Sequence, residues 1–243
     1  MGLFDFLGGG TPAVKAQKLK GKATQKFGDP ATRQKAISQL GELESPDAVP
    51  VLMQRFTFNV EPQTTDRDEK DACFNYICDL KGDAVPAVVE FLKRNDSASS
   101  WALKILDTVL PEPEVIAIVT AELTRLGAEY TRDPEKKEVL LHHLLSKTDE
   151  RIGPAVVPFL HDMSDDVKMA AVKTVASVKY EPAREELLKL LTGDDVAKRV
   201  QTACIQALAE TGFPVQGYRE KVEARLVEPF FVDRSGVVKK RGE

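Results

Sequence analysis

Cysteine is scarce in this chain of 243 residues: Cys73, Cys78 and Cys204 are too few and too widely placed for a disulfide framework or a metal cluster. That usage fits a reducing compartment. Uninterrupted apolar sequence is lacking too, since no window approaches the roughly 18 residues of a membrane span. The opening "MGLFDFLGGG" has no basic region ahead of its short apolar run, so no export signal is read and a cytoplasmic location is expected.

The chemistry of active sites is equally sparse. His142 and His143 are adjacent and so point about 100 degrees apart on a helix, and His161 stands alone. Glu138 shares a face with His142, but further ligands are missing. Cys73 and Cys78 lie five apart on one expected helix, about 140 degrees around it, which argues against a shared metal and for small core residues. No Gly-x-Ser-x-Gly elbow, Walker loop or dinucleotide fingerprint occurs, and the "LGGG" run is followed by no Gly-Lys-Ser/Thr. No catalytic constellation, metal or cofactor is therefore expected.

Charge is abundant and unevenly placed. Residues 6–28 hold five lysines and no acid, and residues 234–243 hold four basic residues and one acid. Removing these two segments from the net charge of −4 leaves −12 for the rest. An acidic body repels a phosphate backbone, so nucleic acid is not the expected partner.

Hydrophobic periodicity supplies the architecture. The segment "DPATRQKAISQL" is followed by "SPDAVPVLMQRF", and "RDEKDACFNYICDL" by "GDAVPAVVEFLKR". Aligning one small or apolar residue in each first helix gives Ala36, Ala72, Ala102, Leu140, Ala171 and Ala203, at intervals of 36, 30, 38, 31 and 32 residues. This is the period of a helix pair. Asp29-Pro30, Ser45-Pro46 and Asp133-Pro134 each offer a capping oxygen followed by a proline where no amide proton is needed.

First helices are expected near 30–43, 66–80, 97–109, 135–147, 165–178 and 195–211, with partners beginning near 46, 83, 112, 152, 181 and 215. One pair cannot bury its own apolar face, so neighbours must stack, with Leu40, Leu52, Ile77, Leu106, Val175 and Leu208 among the residues between layers. The expected fold is an all-α solenoid of about six pairs over residues 29–228. Residues 1–10 form an apolar leader, 11–28 a lysine-rich capping helix with Ala16, Leu19, Ala23 and Phe27 facing the first repeat, and 229–243 a basic tail whose "DRSG" reads as a hairpin turn.

Through "RQKAISQL", "DAVPVL", "DDVKMAAVKTVASV" and "DDVAKRVQTACIQALAE" the chain resembles the HEAT-repeat family of armadillo-type α-solenoids, including the HEAT-like repeats of phycobilin lyases. The resemblance implies that the second helices line a concave surface that grips a partner. It specifies architecture more than activity. HEAT-like hydroxylases bind iron through His-Glu motifs, which this sequence does not contain, and the HEAT-like DNA glycosylases need a basic concave face.

Arg55, Arg94, Arg125, His161 and Lys189 fall late in successive second helices, where they either complement helix carbonyl ends or form a cationic ladder for an acidic protein surface or peptide. Trp101 sits at the margin of its helix's core face and is a secondary contact candidate. In "RFTFNVEPQTTDRDEK", the alternation of Phe56, Phe58 and Val60 reads as an extended edge segment that closes over its own repeat or accepts a partner strand, which makes Phe58 a further candidate. Leu3, Phe4, Phe6 and Leu7 could pack in cis, dock into a partner or dip into an anionic membrane surface; Phe6 breaks the myristoylation motif. The expected function is a non-catalytic scaffold or adaptor, with a HEAT-like enzyme such as a chromophore lyase, or a membrane-surface adaptor, as alternatives.

Overall fold

A computed structural model describes residues 10–242, and among them the chain is all-α apart from one short hairpin. The helices are α1 (Pro12–Ala23), α2 (Pro30–Gly41), α3 (Val49–Gln54), α4 (Gln63–Asp79), α5 (Val85–Arg94), α6 (Ser99–Val109) and α7 (Glu112–Leu126). They continue with α8 (Glu135–His143), α9 (Ile152–Val156), α10 (Asp165–Ser177), α11 (Arg184–Thr192), α12 (Lys198–Thr211) and α13 (Arg219–Glu223), followed by strands β1 (Phe230–Val232) and β2 (Val238–Lys240). The chain divides into two compact units, one ending at Val115 and one beginning at Ile116.

Local chemistry sets the helix starts. Asp29 accepts a 2.8 Å hydrogen bond from the Thr32 amide ahead of Pro30, and Thr11 caps α1 in the same way through the Val14 amide. Ser45 starts a 3₁₀ turn at 46–48, and Asp133 accepts from the Glu135 amide, one residue earlier than a helix cap would sit. Gly212, in left-handed conformation at φ 72°, ends α12.

In the first unit, α2, α4 and α6 pack in succession and α3 packs on α5. In the second, α8, α10 and α12 form one layer, and the turn after α9 packs on α11, which packs on α13. First helices thus meet first helices and second meet second, as stacked pairs require. Leu40, Leu52, Ile77, Leu106, Val175 and Leu208, expected between layers, are all buried. Layers come close enough that a Cβ on Gly153 would run into the Tyr180 ring, and one on Gly41 into Tyr76. No described helix is long and apolar enough to cross a membrane.

Four expectations need correction. Phe56 is not in an extended segment: it lies in a 3₁₀ turn at 55–57, buried at 5% exposure, and only the short link to α4 at residue 63 is irregular. Phe27 does not cap the first repeat, because α1 ends at Ala23 and leaves the ring 94% exposed. Ala72 is half-buried, and its neighbour Cys73 takes the core position. The last second helix does not begin near 215 but is the five-residue α13. The Val215 amide instead donates to the Gly236 carbonyl at 2.7 Å, and Pro214 bridges to Val237, so the hairpin takes that place against α12. The hairpin turn itself falls at Asp233–Gly236, as read from "DRSG". Leu3, Phe4, Phe6 and Leu7 lie outside the described residues.

The core predicts a contrast in stability. Ile77→Ala, at a position with 0% exposure, is expected to cost about 2–5 kcal/mol, while Phe27→Ala changes stability by less than about 0.5 kcal/mol. Denaturant unfolding of the two variants checks this.

Candidate functional site

The sequence offered five cations as rungs of one ladder, and the structure sorts them by what each touches. Arg55 is not on a face at all. Its guanidinium is 1% exposed, with Nε donating to Glu69 Oε2 at 2.7 Å, Nη1 to the Phe58 carbonyl at 2.9 Å and Nη2 to Asp66 at 2.8 Å. Arg33 Nε donates to the same Glu69 oxygen at 2.7 Å, and its Nη1 reaches the Gln25 carbonyl at 3.1 Å. Arg55 is thereby removed from the partner-binding set: a buried charge must be paired, and these partners occupy it.

The link after Arg55 is fastened by the same group. Its guanidinium lies 4.6 Å from the Phe58 ring centroid, the Val60 amide donates to Asp66 at 3.0 Å, and Lys70 holds Asn59 at 2.6 Å. Burial raises the Asp66 carboxyl, but hydrogen bonds from Lys70, Arg55 and the Val60 amide outweigh it and hold the group below its usual range. Phe58 is therefore half-buried over Arg55, and the segment closes over its own repeat.

The other rungs are exposed, and each lies against a carboxylate. Arg94 pairs with Glu90 one turn back, Arg125 with Glu122 at 2.7 Å, and Lys189 with Glu186 at 2.9 Å. Within the second unit two rungs converge: His161 Nε2 lies 2.8 Å from Glu186, so one carboxylate ties the turn after α9 to α11. Hydrogen bonding from Lys189 holds the Glu186 carboxyl below its usual range. Next to it, Tyr218 donates to Glu185 at 2.6 Å, and Arg184 spans to the Gln216 carbonyl at 2.6 Å. These groups form a half-exposed polar strip across three successive second-helix positions.

Glu185, Glu186 and Tyr218 were not among the residues read from sequence. The three-residue spacing of Glu186 and Lys189 carried the signal for one of them; Tyr218, 33 residues from Glu185, gave none. Helices α7 and α9 border a shallow, mostly apolar groove of about 500 Å³ lined by Ala117, Thr120, Ala121, Thr124, Pro154 and Ala155 together with Glu150 and Arg151.

Trp101 is half-buried in an aromatic cluster. Its ring stacks on Phe56 at 4.6 Å between centroids and lies 6.3 Å from Phe74, and the Lys104 ammonium covers both Trp101 and Phe74 at 4.7 and 4.5 Å. Burial pushes the Cys73 and Cys204 thiols up to about 12, and raises Cys78 less far. At neutral pH Cys73 and Cys204 are therefore not nucleophiles. Among the described residues no group of three or more His, Cys, Asp or Glu side chains is arranged to hold a metal ion.

The paired helices, the proline-led second helices and the inter-repeat ion pairs describe a repeat unit, and one such unit matches a known family. Residues 32–57 match the family model of the PBS lyase HEAT-like repeat. None of the curated proteins matches the chain. Among solved structures, human deoxyhypusine hydroxylase in complex with glycerol is similar at 14% identity and a TM-score of 0.35, over 88% of this chain and 94% of that one. An engineered protein is similar at 18% identity and a TM-score of 0.33, over 86% and 92%. Likenesses this distant bear on neither the chemistry nor the detailed fold. The HEAT-like repeat at 32–57 contains both Arg33 and Arg55, so the buried cluster joins the two helices of that repeat to the first helix of the next.

Thiol labelling reads the burial directly. A maleimide at pH 7 is expected to modify the half-buried Cys78 in the native protein and to reach Cys73 and Cys204 only after denaturation. Rapid native labelling of Cys73 or Cys204 would contradict the packing described.

Proposed function

We propose that this chain is a non-catalytic protein-interaction scaffold that holds its partner along the second-helix face. The observation that carries the reading is the strip His161, Glu186, Lys189, Glu185 and Tyr218. Its side chains are cross-linked at 2.6–2.9 Å yet remain accessible to solvent. A surface whose polar groups are already oriented loses little side-chain freedom when it binds, which favours recognition. The shallow apolar groove on α7 and α9 adds non-polar contact area to the same kind of face.

The partner proposed is a protein segment with acidic groups. Lys189 and His161 are 51% and 54% exposed, and the Lys189 ammonium has further N–H groups to donate to an outside carboxylate while keeping Glu186. Because every exposed rung lies against a carboxylate, His161 and Lys189 sharing Glu186, the face is a row of paired groups rather than a positive field. Recognition then depends on matched charge positions and discriminates by register. The resemblance to HEAT-like proteins supports such a face, and Trp101 with its aromatic neighbours is a second contact patch in the first unit.

Affinity capture with the full chain and mass spectrometry, run beside a His161→Ala/Lys189→Glu variant, tests the reading. The captured protein is expected to fall at least tenfold with the variant while the thermal midpoint stays within about 2 °C, since exposed charge pairs contribute little to folding. Undiminished capture by the variant would remove the strip from the interface. One equivalent of iron or zinc, or a bound bilin, in the purified protein would replace the scaffold reading with a HEAT-like enzyme.

A further inference from the structure

Most of the cations in the repeats are matched by carboxylates, and helix α1 is the exception. Lys15, Lys18 and Lys22 recur at three- and four-residue spacing and so form one stripe, with Lys26 just beyond the helix end. The three stripe lysines and Lys26 are exposed, and among the described residues none of them is in an ion pair. Residues 6–28 contain no acidic side chain. Ala16 and Ala23 are buried against α2, which fixes the stripe outward.

Large apolar side chains border the lysines. Val14 is 44% exposed at the start of the stripe, and Phe27, at 94%, is the most exposed of the large apolar residues described. The Lys26 ammonium lies 5.4 Å from the Phe27 ring centroid, so charge and ring form one unit.

We propose that α1 and Phe27 form a docking surface for an anionic lipid bilayer. Charge complementarity selects an anionic partner, and two observations favour a membrane over a soluble polyanion. The Phe27 ring, exposed to 94% beside the Lys26 ammonium, offers an apolar group that a bilayer's headgroup region accepts without shape matching and that a purely charged soluble polyanion leaves in water. The lysines lie along a single stripe, which presents them together to a flat surface. Leu3, Phe4, Phe6 and Leu7 precede this helix in sequence and would add apolar insertion, but the proposal stands on residues 14–27.

The test is co-sedimentation of the full chain with vesicles of phosphatidylcholine alone or with 30% phosphatidylserine. Binding is expected only to the anionic vesicles and is expected to weaken as salt shortens the screening length. Each basic residue at such a surface contributes about fivefold, so Lys15→Gln/Lys18→Gln/Lys22→Gln should weaken binding about a hundredfold, and the corresponding Lys→Arg variant should retain it. Phe27→Ala should weaken it severalfold at an unchanged thermal midpoint. Absence of binding, equal binding to neutral vesicles, or an unaffected Lys→Gln variant would overturn the proposal. So would loss of binding only on deleting residues 1–9. If polyglutamate or duplex DNA bound as tightly and Phe27→Ala had no effect, the helix would be a site for a soluble polyanion instead.

Discussion

Glu69, 2% exposed, gives one oxygen to two guanidinium groups at 2.7 Å, and that triad ties together three helices of the first unit. Arg33 comes from the first helix of one pair, Arg55 from the end of its second helix, and Glu69 from the next first helix. Taking these ions out of water is costly, so a register of α2 against α4 that separated them would leave charges unpaired in the core. Apolar packing alone is less selective, since side chains of similar volume can slide by a turn. The same Arg55 holds the Phe58 carbonyl and Asp66, which makes the link before α4 rigid.

Related pairs appear at the starts of later first helices. Lys136 bonds Glu122 at 2.8 Å, Lys137 bonds Asp162 at 2.7 Å and the Glu129 carbonyl at 2.6 Å, and Arg199 of α12 reaches Asp166 of α10. Those of Lys136 and Lys137 are buried and that of Arg199 is exposed, so the first two specify packing while the third contributes little. Among the described residues these cations fall into three settings: buried between helices as Arg33, Arg55, Lys136 and Lys137 are, paired with a carboxylate on the second helices as Arg94, Arg125 and Lys189 are, or exposed without an ion pair as Lys15, Lys18, Lys22 and Lys26 are. The last two settings underlie the two binding proposals.

The helix pairs were legible in the sequence because a 3.6-residue period and Asp-Pro or Ser-Pro caps act locally. Ala36, Leu140, Ala171 and Ala203 are core residues for that reason. Arg55 was misplaced because position in a helix does not reveal a partner 14 residues ahead, and Arg33 and Glu69 are 36 residues apart. Phe56 alternates with Phe58 as a strand would, but its ring is fixed by stacking on Trp101, a contact between residues 45 apart in sequence. The shortened α13 depended on the hairpin docking at Pro214 and Val215, which again is a long-range event. Of the polar strip, only the Glu186 and Lys189 spacing was local enough to read.

A double-mutant cycle on Arg55 and Glu69 tests most directly whether the buried triad organises the repeats. With Arg55→Met, Glu69→Leu and the double variant unfolded in denaturant, a coupling energy of about 1.5–3 kcal/mol is expected, as for residues sharing one buried network. Glu69→Leu alone should be destabilised by about 3–5 kcal/mol, because the buried Arg33 loses its carboxylate partner while Arg55 keeps only Asp66. A coupling below about 0.5 kcal/mol, with both single variants near the parent's stability, would show that the triad is incidental and that apolar packing alone sets the stacking.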